Sequence, residues 1–113
     1  MTDEERTRKI AELNDQLRTT FSPDAGQVFM TRGIEALDER TRAEVIAAIM
    51  EFDAFDEDND PYGEHDYGTV QIAGKTYVWK IDAYDQRLRY MSPDPSDPAV
   101  TRRVLVLLLP SEW

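Results

Sequence analysis

The stretch YGTVQIAGKTYVWKIDAY, from Tyr67 to Tyr84, decides the fold class of this chain. Its two arms, Tyr67 to Ala73 and Thr76 to Tyr84, are rich in the aromatic and β-branched residues that favour strands. Ala73-Gly74 between the arms supplies a turn. The stretch therefore predicts a β-hairpin.

The second arm of the hairpin alternates in polarity. Tyr77, Trp79 and Ile81 share one side of the strand, because successive side chains point to opposite faces. That pattern predicts one face against a core and one face partly in water. Asp85-Gln86 then turns the chain into a further predicted strand over Arg87 to Met91, in which apolar residues alternate with arginines.

Six consecutive apolar residues, Val104 to Leu109, precede Pro110. A run without polar alternation is typical of a central strand covered on both faces, or of a strand buried at a subunit contact. The run therefore predicts a last strand, and it leaves open a homodimer formed through that strand.

A first helix is predicted near the N-terminus. Thr2-Asp3-Glu4-Glu5 has the pattern of a capping box, and apolar residues at helical spacing then extend the helix from Asp3 to Thr19 or Thr20. Turn residues end it, and Gln27 to Thr31 predicts a short strand. Whether this helix belongs to the core or lies at the periphery, as segment 1–22, is open at this point.

A second helix precedes the hairpin. It begins at Asp38 or one turn later at Thr41, and it ends near Asp53. Its apolar residues follow the spacing of one buried stripe: Val45, Ile46, Ile49, Met50 and Phe52. We therefore predict an α+β fold in the order α-β-α-β-β-β-β, with two helices packed on an antiparallel sheet of about four strands.

Composition limits the class of protein. The 113 residues are enough for one domain, 1–113, with its own core. No cysteine is present, which excludes disulfides, thiolate nucleophiles and cysteine-ligated zinc. No apolar run approaches the length that spans a bilayer, and the charged N-terminus lacks a secretory signal, so we expect a cytoplasmic protein without membrane association.

The net charge of −10 is concentrated in one segment. Eight acids and no lysine or arginine lie between Glu51 and Asp66, whereas the rest of the chain holds 15 acids against 13 lysines and arginines. Direct nucleic-acid binding needs a basic patch and is disfavoured, so the natural complement is a basic protein surface. The candidate partner-binding residues of the acidic loop 53–66 are Asp53, Asp56, Glu57, Asp58, Asp60, Tyr62, Glu64 and Asp66.

The same loop raises the question of a metal. Asp56, Asp58 and Asp60 match the first positions of an EF-hand, but Pro61 stands where glycine is needed and Tyr67 stands where a bidentate glutamate belongs. A looser Ca²⁺ or Mg²⁺ site stays open as an alternative, because hard cations prefer carboxylate oxygens. Its ligands would come from Asp58, Asp60, Glu64 and Asp66.

His65 is the only histidine, and acids flank it at Glu64 and Asp66. A catalytic role as an acid–base group, with Glu64, is one alternative. No nucleophile can be paired with it from spacing. The structural alternative is that His65 stabilises the turn Asp60-Pro61-Tyr62-Gly63, which has proline and glycine where turn geometry favours them.

Several short motifs resemble a known family. They are Thr31-Arg32-Gly33, Phe52-Asp53-Ala54-Phe55, Asn59-Asp60-Pro61-Tyr62-Gly63-Glu64-His65-Asp66, Trp79-Lys80-Ile81-Asp82 and Thr101-Arg102-Arg103-Val104-Leu105. Over residues 28–113 the chain resembles a mainly alphaproteobacterial family catalogued as domain of unknown function 3768. The resemblance supplies no reaction or cofactor. It implies an origin on mobile elements, where small acidic proteins often inhibit host defence.

From the charge and this resemblance we expect a non-enzymatic acidic interaction protein. Its concrete form would be an inhibitor of a basic nucleic-acid-binding complex, such as an anti-CRISPR or anti-restriction protein that occupies the nucleic-acid groove. The alternative is a small enzyme, metal-dependent or based on His65, that uses the Asp58 to Asp66 loop.

Overall fold

A computed structural model describes the whole chain, Met1 to Trp113. Its elements confirm the α+β class. They are α1 (Asp3–Thr20), β1 (Gln27–Met30), α2 (Arg32–Glu35), α3 (Glu39–Met50), β2 (Tyr67–Ile72), β3 (Lys75–Tyr84) and β4 (Arg102–Leu108), with 3₁₀ turns at Pro98–Val100 and Pro110–Glu112. The hairpin, both long helices and the first and last strands lie where the sequence predicts them.

The four strands form one sheet in the order β1-β4-β3-β2. β2 and β3 form the predicted antiparallel hairpin, and β3 pairs antiparallel with β4. β1, however, pairs parallel with β4, so the sheet is mixed rather than wholly antiparallel. The apolar pattern of a strand carries no information on direction when its partner lies more than seventy residues away, as Val28 and Leu105 do.

The predicted strand over Arg87 to Met91 does not form. Its only ladder contact is an isolated bridge between Tyr84 and Met91. The Asp85 carboxylate accepts hydrogen bonds from the amides of Arg87 at 3.2 Å and Arg89 at 3.1 Å, and Leu88 has a φ of 58°. The Asp85 side chain thus binds the backbone amides of Arg87 and Arg89, and the segment forms a tight turn instead of the predicted strand.

Side-chain caps fix where the helices begin. The Thr2 hydroxyl accepts a hydrogen bond from the Glu5 amide at 3.1 Å, as the capping-box pattern predicts. Asp38 accepts from the Thr41 amide at 2.7 Å, so α3 begins at the earlier of its two predicted starts. Phe21, with a φ of 54°, ends α1.

The core lies between the helices and one face of the sheet. Its fully buried side chains come from every layer: Leu17, Ile34, Val45, Ile49, Trp79, Leu105 and Leu107. Leu17 and the nearly buried Ile10 show that α1 belongs to the core and is not peripheral. No helix in the structure is long and apolar enough to cross a bilayer.

The apolar strand β4 lies in the middle of the sheet, between β1 and β3. Leu105 and Leu107 are fully buried on the helix-covered face, whereas Val104 and Val106 on the other face are only half-buried. This second face also carries Phe29, which pairs with Val106 and is 58% exposed. The central position of β4 is as predicted, but its second face is not fully covered.

Candidate functional site: the acidic loop

The segment Glu51 to Asp66 joins α3 to β2, and its eight acids fall into two groups. The exposed acids are Glu51, Asp53, Asp56, Glu57 and Asp58; the half-buried acids are Asp60, Glu64 and Asp66. Tyr62 is 81% exposed at the tip of the loop. The candidate partner-binding residues are therefore not one surface, because only the first group and Tyr62 face solvent fully.

Short polar side chains hold the exposed part of the loop. The Asp56 carboxylate accepts hydrogen bonds from the amides of Asp58 at 2.9 Å and Asn59 at 3.0 Å. Asn59 returns the contact, since its side-chain oxygen accepts from the Asp56 amide at 3.0 Å and its side-chain nitrogen donates to the Ala54 carbonyl at 2.8 Å. The exposed carboxylates thus stand on an ordered backbone.

The buried side chain of Asp60 stabilises the next turn of the loop. Its side chain is only 5% exposed, and Oδ1 accepts from the amides of Glu64 at 3.1 Å and His65 at 3.2 Å. The Gly63 amide donates to the Asp60 carbonyl at 3.1 Å, and Gly63 has a φ of 71°. The Asp60 side chain therefore stabilises the turn Asp60-Pro61-Tyr62-Gly63, a role that the sequence alone assigns to His65 as an alternative.

His65 lies between two carboxylates and an aromatic ring. Its Nδ1 is 3.0 Å from both oxygens of Asp15 in α1, and its Nε2 is 3.7 Å from Asp60 Oδ2. Because a carboxylate only accepts, Nδ1 carries a proton in this contact. The imidazole stacks on Phe55 with ring centroids 3.9 Å apart and an interplanar angle of 1°. These contacts attach the loop to α1.

Arg18 extends this network to the end of α3. It is 3% exposed, and it donates to Asp15 Oδ1 at 3.0 Å, to the Ile49 carbonyl at 3.0 Å and to the Phe52 carbonyl at 2.7 Å. Its guanidinium also lies 5.4 Å from the Phe55 ring centroid. The Arg18 network, defined as Arg18, Asp15, His65 and Asp60, thus joins α1, α3 and the acidic loop.

Sequence reasoning did not find Asp15 or Arg18. A signal was present, because Asn14 and Arg18 follow Ile10 at intervals of four and so fall on the buried side of α1. A polar residue on that stripe needs a buried partner. For Asn14 the partners are the Glu64 carbonyl at 2.9 Å and Arg103 Nε at 2.7 Å.

Glu64 and Asp66, at the end of the loop, are half-buried. Burial raises the pKa of the Glu64 carboxyl above its ordinary value, and the charge of Asp66 raises it further. Burial likewise raises the pKa of the Asp66 carboxyl. Both residues are also less exposed than Asp53, Glu57 or Asp58, so a docked partner reaches them less readily.

The candidate metal ligands do not come together. Asp58 is exposed, the Asp60 carboxylate points into the loop, and Glu64 and Asp66, at the end of the loop, are half-buried. No group of three or more acids or histidines in the structure is arranged to hold a metal ion. The candidate Ca²⁺ or Mg²⁺ ligands are therefore dispersed.

An open groove of about 490 Å³ runs beside the loop, between the first turns of α1 and the segment Gly63 to His65. Asp3 and Glu4 line it from the helix, and Arg8 lies among them. The groove brings the first turns of α1 beside the loop, although the sequence did not connect these two segments.

No curated protein and no solved structure matches the chain. A family model matches residues 30–112, which run from the last residue of β1 through the C-terminal 3₁₀ turn and include the acidic loop. The chain therefore belongs to the family described as "Protein of unknown function (DUF3768)".

Proposed function

We propose that this protein is a non-enzymatic binding domain that offers the exposed part of its acidic loop to a basic protein partner. The contact surface, here called the acidic surface, consists of Asp53, Asp56, Glu57, Asp58 and Tyr62. The observation that carries the proposal is that none of its four carboxylates pairs with a basic side chain within 4 Å, although all four are exposed.

The order of the loop supports the proposal. A surface that is already fixed before binding loses less conformational entropy when the partner docks. The hydrogen bonds of Asp56 and Asn59, together with the stacking of His65 on Phe55, supply that order. Unpaired carboxylates accelerate encounter with a basic groove, and Tyr62 supplies an aromatic anchor of the kind that dominates interface energies.

In its finer form, the partner is a nucleic-acid-binding complex that the protein inhibits, as an anti-CRISPR or anti-restriction protein does. Support comes from chemistry: lysine and arginine side chains that hold phosphates accept carboxylates in the same way. The density of unpaired acids between Asp53 and Asp58 suits such a groove.

The test compares two variants with the same change in charge. D53N/E57Q/D58N neutralises the acidic surface without touching Asp56, which holds the backbone. E12Q/E35Q/E39Q removes three exposed charges elsewhere. A partner captured from cells of the source organism should lose affinity for the first variant and retain it for the second, with weaker salt dependence for the first.

Equal capture of both variants at every ionic strength would refute the acidic surface as the binding site. The inhibitor form needs a further measurement, in which the captured partner binds labelled DNA or RNA in the presence of the protein. Competition that disappears with the first variant supports inhibition, and simultaneous binding of both ligands excludes it.

A second candidate is a small enzyme that uses the loop, and one observation favours it. His65 borders the groove while Asp15 orients its ring at 3.0 Å, an arrangement found in acid–base catalysis. Glu64, with its raised pKa, is the other candidate group. Turnover in a substrate screen that H65Q abolishes and D58N retains would support this function, and calorimetry with Ca²⁺, Mg²⁺ and Mn²⁺ tests its metal-dependent form.

A further inference from the structure

Arg103, at the start of β4, is a buried cation that no carboxylate contacts directly, although the charge of Glu64 acts on it from beyond 4 Å. The residue is 4% exposed, and its guanidinium donates to the Asn14 side-chain oxygen and to the Pro95 carbonyl. Its third nitrogen, Nη1, makes no hydrogen bond within the chain, and no carboxylate lies within 4 Å. A buried guanidinium that no carboxylate contacts directly favours binding of an anion beside it, and Nη1 is the nitrogen left to donate.

Space for such an anion exists next to Arg103. Two adjoining cavities, of about 330 and 230 Å³, lie between the turn after α1 and the loop before β4. Both are lined by Asp24, Ala25, Thr101 and Arg103, and together they are called the Arg103 crevice here. Gly26 allows this close approach of the two segments, because a Cβ at that position would lie 2.6 Å from the Arg103 carbonyl oxygen.

The charge of the crevice is opposite to that of the molecule. Lys9 lines the larger cavity and Arg102 the smaller one, while Arg103 lines both. Asp24 is the one acid of the crevice, which leaves a formal charge of +2 on a chain whose net charge is −10. Three basic residues around these two adjoining cavities are therefore a local exception to the acidity of the protein.

We propose that the Arg103 crevice binds a phosphate group, either as inorganic phosphate or on a small phosphorylated molecule. A phosphate monoester carries about −1.5 to −2 charges at neutral pH, which matches the crevice. A guanidinium with a free nitrogen binds phosphate oxygens through directed, charge-assisted hydrogen bonds. The site is separate from the acidic surface, so either assignment can fail without the other.

The test is a titration of the ¹⁵N-labelled protein, at constant ionic strength, with inorganic phosphate, with phosphoserine and with acetate. Saturable shifts of the amides of residues 24–27 and 101–103 are expected with phosphate in the millimolar range. A tighter response to phosphoserine than to inorganic phosphate assigns the site to a phosphorylated molecule, and the reverse assigns it to the free ion.

Variants of exposed or half-buried residues avoid the risk that a buried Arg103 variant does not fold. K9Q and R102Q should each weaken phosphate binding about threefold or more, and D24N, which removes the opposing carboxylate, should tighten it about threefold. R32Q removes an exposed charge at the opposite end of β1 and should change nothing.

Three outcomes would overturn the proposal. They are shifts that rise linearly without saturation, an R32Q effect equal to that of R102Q, and a D24N variant that binds no more tightly than the wild type. Acetate that shifts the same amides at the same concentration as phosphate would overturn the assignment to phosphate.

Discussion

Replacement of Arg18 by methionine tests whether the Arg18 network holds the acidic loop to the core. Methionine keeps most of the volume of the side chain and removes its charge and its five donors. The Phe52 carbonyl, at 2.7 Å from Nη1, then loses its donor. The Ile49 carbonyl, at 3.0 Å, keeps only backbone amides as donors, and Asp15 loses its contact with Arg18. The change is therefore a loss of polar contacts more than a loss of packing.

The magnitude follows from the individual contacts. A hydrogen bond with a charged donor contributes about 1.5–3 kcal/mol, so the two short bonds give about 3–6 kcal/mol. The contact to the Met50 carbonyl at 3.4 Å is too long to add much. The pair with Asp15 adds less than about 1 kcal/mol, since the Asp15 side chain is 36% exposed. Release of the desolvation cost of the guanidinium offsets part of this, and we expect a net loss of about 3–4 kcal/mol.

Urea unfolding provides the assay. Trp79 is fully buried and Trp113 is 71% exposed, so a W113F background restricts the fluorescence signal to the core. R18K keeps the charge but not the planar fork and should lose less stability than R18M. R8M is the matched control on the same helix, because Arg8 is exposed and forms no ion pair, and it should stay within about 0.5 kcal/mol of the wild type.

The result that would refute this reasoning is an R18M variant as stable as R8M or more stable. Buried ion pairs elsewhere have been replaced by apolar residues without loss. Here the distinguishing feature is the Phe52 carbonyl, whose only hydrogen bond comes from Arg18. A neutral R18M would show that water reaches this carbonyl and that the loop does not depend on the network.

Three further measurements test other parts of the structure. Burial raises the pKa of Glu64 above 4.5, so ionisation of this carboxyl opposes folding. E64Q should therefore raise the urea midpoint at neutral pH. The gain should vanish below pH 4.5, where the carboxyl is protonated in both the folded and the unfolded state. A gain that persists in acid would contradict this. A Cβ on Gly68 would lie 2.6 Å from Trp79 Nε1, so G68A should cost about 1–3 kcal/mol by overpacking. G74A, where no atom lies within 4 Å, should lose less, only the roughly 1 kcal/mol of its left-handed backbone. A homodimer through β4, which the sequence leaves open, predicts twice the 13.0 kDa of one chain by light scattering. F29D on the open sheet face should reduce this mass to that of one chain, and a single-chain mass for the wild type would exclude the dimer.

The parts of the fold that local sequence determines were predictable. The hairpin follows from the alternation around Trp79 and the turn at Ala73-Gly74, and the starts of α1 and α3 follow from Thr2 and Asp38. The parallel pairing of β1 with β4 was not predictable in this way, because it depends on which strands meet after the helices have packed. For the segment Arg87 to Met91 the local pattern predicted a strand that does not form. The Asp85 side chain holds this segment in a turn despite its apolar alternation.

The candidate site was predictable in position but not in its internal organisation. Charge counting located the acidic loop, yet it could not separate Asp60, which holds the backbone amides of Glu64 and His65, from Asp58, which faces solvent. Nor could it pair His65 with Asp15, fifty residues earlier in α1. Both distinctions depend on the direction of side chains after folding, which spacing along the chain does not encode.

The division among the acids also explains how so much negative charge is tolerated in one loop. Carboxylates that accept backbone hydrogen bonds, as Asp56 and Asp60 do, are stabilised by the amides they hold. His65 and Arg18 place positive or proton-donating groups beneath the loop. The exposed Asp53, Glu57 and Asp58 gain no such contact, so their mutual repulsion is unrelieved and a basic partner would relieve it. Neutralising Asp53, Glu57 and Asp58 should therefore leave the fold intact or slightly more stable, whereas neutralising Asp60 should weaken it; only the first change separates binding from folding.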